Sequence, residues 1–243
     1  MAEPSRQQAP RPSLLYQFMH YIGVPFMLAI WTDLRVEGLE NLPTGGGYIL
    51  AANHPDNLDT YCIGLRIRQT VHFLARPDGM RSRWLGTFWR LMAAIPADRD
   101  GLTEAVALVR AGDVVGVYPD GVITPRLLRA RAGVGALAAR TGAPVIPVAI
   151  WGTERVRLWP LRGGKRQRVV VRYGRPLRFT RADVRTLGLQ GIADAVMRAV
   201  AEMLPPAYRG AYATPAIQTR APDADPDKGT PSAPASKTAE DRV

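Results

Sequence analysis

His54 and Asp59, five residues apart in a chain of 243, are the pair whose types and spacing could move a proton. An imidazole has an ordinary pKa near ~6.5, so it is available neutral, as a base. A carboxylate that accepts from one ring nitrogen fixes the tautomer and leaves the other nitrogen to pull a proton from a hydroxyl. Spacing alone is weak evidence, because 14 aspartates are spread along the chain. The setting adds to it. Tyr48–Ala52 is a short apolar run that reads as a strand, with Asn53 and His54 directly after it. Pro55 suits the first turn of a helix, which would put Asp59 in that turn or just past it. In a parallel α/β sheet, ligands bind in the loops that follow the carboxyl ends of strands.

Three further segments could take part. Val115-Gly-Val-Tyr-Pro-Asp-Gly121 runs a buried strand into a turn carrying Asp120 and Gly121. Taken alone, it is most simply a reverse turn. Ala93-Ala-Ile-Pro-Ala-Asp-Arg99 brings a guanidinium to a chain reversal, though with 29 arginines any one of them is most simply a solvated surface residue. Pro144–Ile150 reads as a core strand. Cys62, the single cysteine, excludes a disulfide scaffold and a cysteine-ligated cluster. His20, His54 and His72 are too few for a multi-histidine metal site, and Gly133-Val-Gly-Ala-Leu-Ala138, which is similar to a dinucleotide fingerprint, follows an Arg-rich stretch and not an apolar strand, so neither a metal nor a resident cofactor is expected.

The elements that must position these residues follow from the pattern. Strands are expected at 34–38, 48–52, 71–75, 114–118, 145–150 and 168–173. Helices are expected at 60–67, 83–93, 103–110, 135–140 and 192–204. Their alternation argues for an α/β fold with a mostly parallel sheet flanked by helices. Leu14–Trp31 stands apart: eighteen residues, clearly polar only at Gln17 and His20. That is near the minimum for a bilayer span, but Gly23 and Pro25 sit in its middle and aromatic residues are scattered through it. It could lie in one leaflet, cross the membrane or pack in a core. Three parts result: an arm and membrane-associated segment over 1–33, a domain over 34–214, and a tail over 215–243 rich in Pro, Ala, Ser and Asp that lacks the apolar residues to fold.

The formal charge is +11, carried by 29 Arg and three Lys. Such a surface attracts phosphates on nucleic acid, lipid headgroups or small molecules. The charge is dispersed and no nucleic-acid-binding motif accompanies it, which argues against nucleic acid as a partner.

In chain order the four segments resemble the glycerophosphate/lysophospholipid acyltransferase family, the PlsC-like enzymes. Asn53, His54 and Asp59 match the family's Asn-His-x4-Asp block. Ile95, Pro96, Asp98 and Arg99 match its second, with Ala93 in place of a glycine. Tyr118-Pro119-Asp120-Gly121-Val122-Ile123 stands where the family has Phe-Pro-Glu-Gly-Thr-Arg, and Ile146–Ile150 matches the fourth. Arg76 corresponds to a basic position ahead of the second block, and Arg131 to a basic-x-Gly feature before a helix.

The resemblance implies acyl transfer from a thioester on coenzyme A or acyl carrier protein to a lipid hydroxyl. His54 would be the base and Asp59 its partner, without an acyl-enzyme. Arg76, Arg99, Asp120, Gly121 and Arg131 would bind substrate. It also implies membrane lipids as partners and a place on the cytoplasmic face of a membrane. The altered third block raises two alternatives: an acceptor other than a standard glycerol phosphate, with Arg126 or Arg129 supplying charge, or a catalytically idle relative that binds lipid or acyl-CoA.

Overall fold

Apolar runs of five to seven residues, separated by helix-length segments, resolve into one sheet covered on both faces. The computed structural model describes residues 13–156 and 166–213. Of the expected arm beyond the apolar segment only Ser13 is among them, and the tail expected over 215–243 lies outside. The strands are β1 (Thr32–Glu37), β2 (Tyr48–Ala52), β3 (Val71–Ala75), β4 (Ile95–Pro96), β5 (Val114–Val117), β6 (Val145–Trp151) and β7 (Gln167–Tyr173). They lie in the order β1-β7-β6-β2-β5-β3-β4. β6, β2, β5, β3 and β4 run parallel, and β7 turns back antiparallel to β6 and takes β1 with it.

Each buried strand faces two layers, because successive side chains point to opposite faces. In β2, Ile49 and Ala51 pack with α6 (Arg99–Ala111), α7 (Gly133–Thr141) and α8 (Arg181–Met203). Tyr48, Leu50 and Ala52 face the other way, toward α2 (Val24–Trp31) and α3 (Asp59–Gly64). All five are essentially buried, so the apolar run reflects two covered faces.

The N-terminal apolar segment is helical throughout: α1 (Leu14–Phe18), a π-helical turn over Met19–Gly23, then α2. Tyr16, Val24 and Leu28 are buried, whereas Leu14, Phe18, Tyr21, Ile22, Phe26 and Ile30 are exposed. The Tyr16 hydroxyl accepts from the Val71 N–H at the start of β3. Thr32, which opens β1, donates to the Leu28 carbonyl. Since β1 runs against the central strands, the segment crosses the sheet face from its amino edge to its carboxyl edge.

Several boundaries differ from expectation. The helix expected over 60–67 runs from Asp59 to Gly64, so Pro55 lies outside its first turn. Asp56 accounts for this: its carboxylate accepts from Leu58 N–H, a turn that competes with helix. α6 begins four residues early because Asp98 caps it, accepting from Gly101 N–H at 2.9 Å. α8 begins at Arg181 under a Thr180–Asp183 capping box, and Gly188, with φ +65°, interrupts it. The two-residue β4 and the short α4 (Pro77–Arg81) are additional to the elements expected.

Candidate active site

His54 lies just past the carboxyl end of β2, and the loop back to Asp59 is short enough to close a ring of hydrogen bonds. His54 Nδ1 and Asp59 Oδ2 are 2.9 Å apart. The same oxygen accepts from Asp56 N–H at 2.8 Å, and Oδ1 accepts from the Thr153 hydroxyl at 2.5 Å. Asp59 is completely buried. Burial pushes its carboxyl up, and the bonds from His54, Thr153 and Asp56 pull against that. With Asp59 accepting from Nδ1–H, Nε2 is left as the basic nitrogen.

Aromatic stacking also fixes the imidazole. Its ring stacks on Tyr118 with centroids 3.8 Å apart and planes within 8°. Tyr118 in turn stacks on Phe73 of β3, at 5.7 Å, and shares a 2.9 Å hydrogen bond with the Thr60 hydroxyl. Gly116 makes room for this column, because a Cβ there would lie 2.4 Å from the Phe73 ring. Asn53 locks the end of β2 to β6, donating to the Ile150 carbonyl and accepting from its N–H at 2.7 and 2.8 Å.

Asp120 and Gly121 lie in the turn after β5, the neighbour of β2. Asp120 is 4% exposed, and neither carboxylate oxygen has a hydrogen-bond partner among the described residues. Burial pushes its pKa up to about 6; His54, then the N–H groups of residues 120–122, act the other way without being aligned for hydrogen bonds. Gly121 has φ +71°, and the Arg131 guanidinium lies 3.3 Å from where its Cβ would be. Arg131 N–H also bonds the Pro119 carbonyl, so the arginine rests against the turn. Exposed Val122 and Ile123 follow, and Thr124 N–H donates to the His54 carbonyl at 2.7 Å.

Arg76 follows β3 and Arg99 follows β4, so both stand at the same sheet edge as His54. They are two and three strands away from β2, roughly 10 and 14 Å at the usual strand spacing. Both are exposed. The structure therefore brings His54, Asp59, Asp120, Gly121 and Arg131 together and leaves Arg76 and Arg99 toward the rim. Arg129 faces Asp194 at 3.8 Å, and Arg126 is exposed. Cys62 is buried and its thiol is pushed up by desolvation, as suits an inert packing residue.

Thr153 is a site residue that the sequence does not reveal. It lies 94 positions from Asp59 and meets it only because β6 is the neighbour of β2. The ring stacking of Tyr118 is also hidden, although Tyr118 itself sits in the third segment.

A family model described as acyltransferase matches residues 33–151. That span holds His54, Asp59, the Asp120 turn and β6. This span, just under half of the chain, is an acyltransferase domain of the PlsC-like type. The 1-acyl-sn-glycerol-3-phosphate acyltransferase of Bacillus subtilis is 26% identical over 132 residues, covering 52% of this chain and 66% of that protein. A chloroplastic 1-acyl-sn-glycerol-3-phosphate acyltransferase of Brassica napus is 27% identical over 149 residues, 54% of this chain and 43% of that one. The chain thus spans just under two thirds of the first relative and less than half of the second. PlsC from Thermotoga maritima shares the fold, with a TM-score of 0.55 and 24% identity over 75% of this chain and 78% of that one. Within the PlsC-like family pattern, this chain departs most in the third block, where Val122 and Ile123 replace Thr-Arg and Asp120 replaces Glu.

Proposed function

We propose that the protein is an O-acyltransferase that moves a fatty acyl chain from an acyl-CoA or acyl carrier protein thioester to a hydroxyl of a lysophospholipid or related lipid. The observation that carries this reading is the His54–Asp59 pair, 2.9 Å apart at the carboxyl edge of the sheet and inside the family-matched span. His54 Nε2 takes the proton of the acceptor hydroxyl as its oxygen attacks the thioester carbonyl. Asp59 stabilises the imidazolium that forms. The tetrahedral intermediate then collapses, the carbon–sulfur bond breaks, and the imidazolium returns its proton to the leaving thiolate. No side chain is acylated.

Arg131, resting on Gly121, offers a guanidinium for an acceptor headgroup close to His54. Arg76 and Arg99, exposed at the rim, draw the same anionic group in from solvent. Asp120 accepts from a further hydroxyl of the acceptor, which gives its unpartnered oxygens a bond. Val122 and Ile123 add an apolar rim in place of the family's Thr-Arg, favouring an acceptor that carries an alkyl chain over free glycerol phosphate.

The apolar face of Leu14–Trp31 seats the enzyme on its membrane, on the cytoplasmic side where acyl thioesters are made. Tyr16, Val24 and Leu28 pack inward, so the helix lies along the surface with its exposed face in one leaflet. A perpendicular span would draw the sheet's polar edges into hydrocarbon.

The deciding experiment offers labelled acyl-CoA and acyl carrier protein with lysophospholipids, glycerol phosphate and neutral lipid alcohols, and reads products by mass. An acylated lysophospholipid from the wild type supports the proposal. Tight acyl-CoA binding with no product from any acceptor would favour the idle relative.

A further inference from the structure

A second exposed apolar surface lies on α5 (Arg83–Leu91). Trp84, Phe88 and Leu91 recur at i, i+4 and i+7, which places them on one stripe of the helix. Trp84 is 83% exposed and Leu91 41%, with Leu85 beside the stripe at 44%. Arg83, Trp84, Thr87, Phe88 and Leu91 line a shallow depression there. Indole and alkyl groups so exposed call for a partner.

The opposite side of α5 is already occupied. The Trp89 ring lies where a Cβ on Gly79 would be, and Gly86 sits against the Met80 carbonyl. Arg90 donates to that same carbonyl at 3.0 Å. The helix is therefore clamped to α4 with its apolar stripe turned outward.

Two observations identify the partner. The first is charge: residues 76–91 carry Arg76, Arg81, Arg83 and Arg90 against the single acid Asp78. The Arg83 guanidinium lies 5.8 Å from the Trp84 ring. An aromatic residue flanked by arginines suits the boundary between acyl chains and anionic headgroups. The second is position: the Ser13 hydroxyl donates to the Leu91 carbonyl at 2.8 Å, so α5 ends where the N-terminal apolar helix begins. Leu14, 84% exposed, is the next residue.

We infer that α5 is a second lipid-binding element, which sets Trp84 and Leu91 into an anionic bilayer surface next to Leu14–Trp31. This rests on the membrane reading given above. The two helices divide the work. The N-terminal helix supplies apolar contact that is indifferent to headgroup charge. α5 adds attraction to anionic lipid and fixes how the sheet's carboxyl edge is presented to it.

The test is flotation of the full chain with vesicles of phosphatidylcholine alone or mixed with phosphatidylglycerol. An Arg81→Gln/Arg83→Gln double variant should lose about fivefold in binding to the mixed vesicles for each charge removed, with little change on phosphatidylcholine. Trp84→Ser should lose roughly tenfold on mixed vesicles. Both sites are exposed, so melting temperatures should match wild type. Wild-type binding by both variants, while Phe18→Ser/Phe26→Ser detaches, would overturn the role of α5 and leave the N-terminal reading intact. Full binding by the Phe18/Phe26 variant would instead sink the N-terminal reading. A dimer in detergent that Trp84→Ser dissociates would show a second copy as the occupant of this surface and overturn the inference.

Discussion

The carboxyl edge of the sheet has an inner and an outer half, and they are built differently. At the inner half, where β2, β5 and β6 meet, side chains bond to one another: His54 to Asp59, Asp59 to Thr153, Asn53 to Ile150, with Tyr118 beneath the imidazole. At the outer half, Arg76 and Arg99 are placed by the backbone of β3 and β4 and extend into solvent. The contrast fits the roles proposed above for each half. A base must be held in one orientation through the reaction, and rigid burial among hydrogen bonds does that. A guanidinium that gathers an anion from water gains little from being fixed beforehand and would be expensive to bury.

If that division is correct, substitutions in the inner half lower turnover and those in the outer half raise the acceptor's Michaelis constant. The largest effect belongs to His54→Ala, where acyl transfer should fall by roughly 10³–10⁴ with an unchanged circular dichroism spectrum. Asp59→Asn should follow, with kcat down by roughly 10²–10³, because the amide no longer stabilises the imidazolium or enforces the tautomer.

Asp120 supplies a test by pH. Its folded pKa of about 6 lies above the ordinary 3.8, so the folded protein holds the proton more tightly than the unfolded chain. The resulting contribution to stability is fully present below about pH 4 and is lost as pH rises through about 6. Thermal or urea unfolding should show wild type losing on the order of 2–3 kcal/mol across that window relative to Asp120→Asn. A parallel pair of curves would contradict the buried, unpartnered carboxylate.

Thr153→Val removes one of three bonds to Asp59. It should lower kcat about tenfold and destabilise the fold by roughly 1–2 kcal/mol, read by activity and urea unfolding together. At the rim, Arg99→Gln and Arg76→Gln should each raise the acceptor Michaelis constant about tenfold, leaving kcat and melting temperature near wild type. A kcat loss without a change in that constant would erase the distinction between the halves.

The same contrast explains what could be read in the sequence. His54 and Asp59 were legible because five residues of chain separate them, and the strand before them is an unbroken apolar run. β2, β5 and β6 are legible for the same reason, since burial on both faces leaves no polar interruption, and β3 is legible despite His72, which is buried within it. Thr153 was not, because its partner is set by strand order, and nothing in Gly152-Thr-Glu-Arg155 distinguishes it from a turn. The first half of α8 is hidden in the sequence because Gly188 breaks the helical period there, although Thr180 with Asp183 three residues on is a readable cap. Asp98 stands in the sequence as part of the second block, and its carboxylate caps α6. β4 is only two residues long, too short for any periodicity to show.

The most direct measurement of the central claim uses His54→Gly with imidazole added to the assay. Removing the side chain leaves a slot over the Tyr118 ring beside the Asp59 carboxylate, shaped for the lost group. Acyl transfer by this variant should be near zero alone and should rise with imidazole concentration, more steeply as pH passes the pKa of free imidazole. A His54→Gly enzyme that acylates its acceptor at the wild-type rate with no imidazole present would contradict the account.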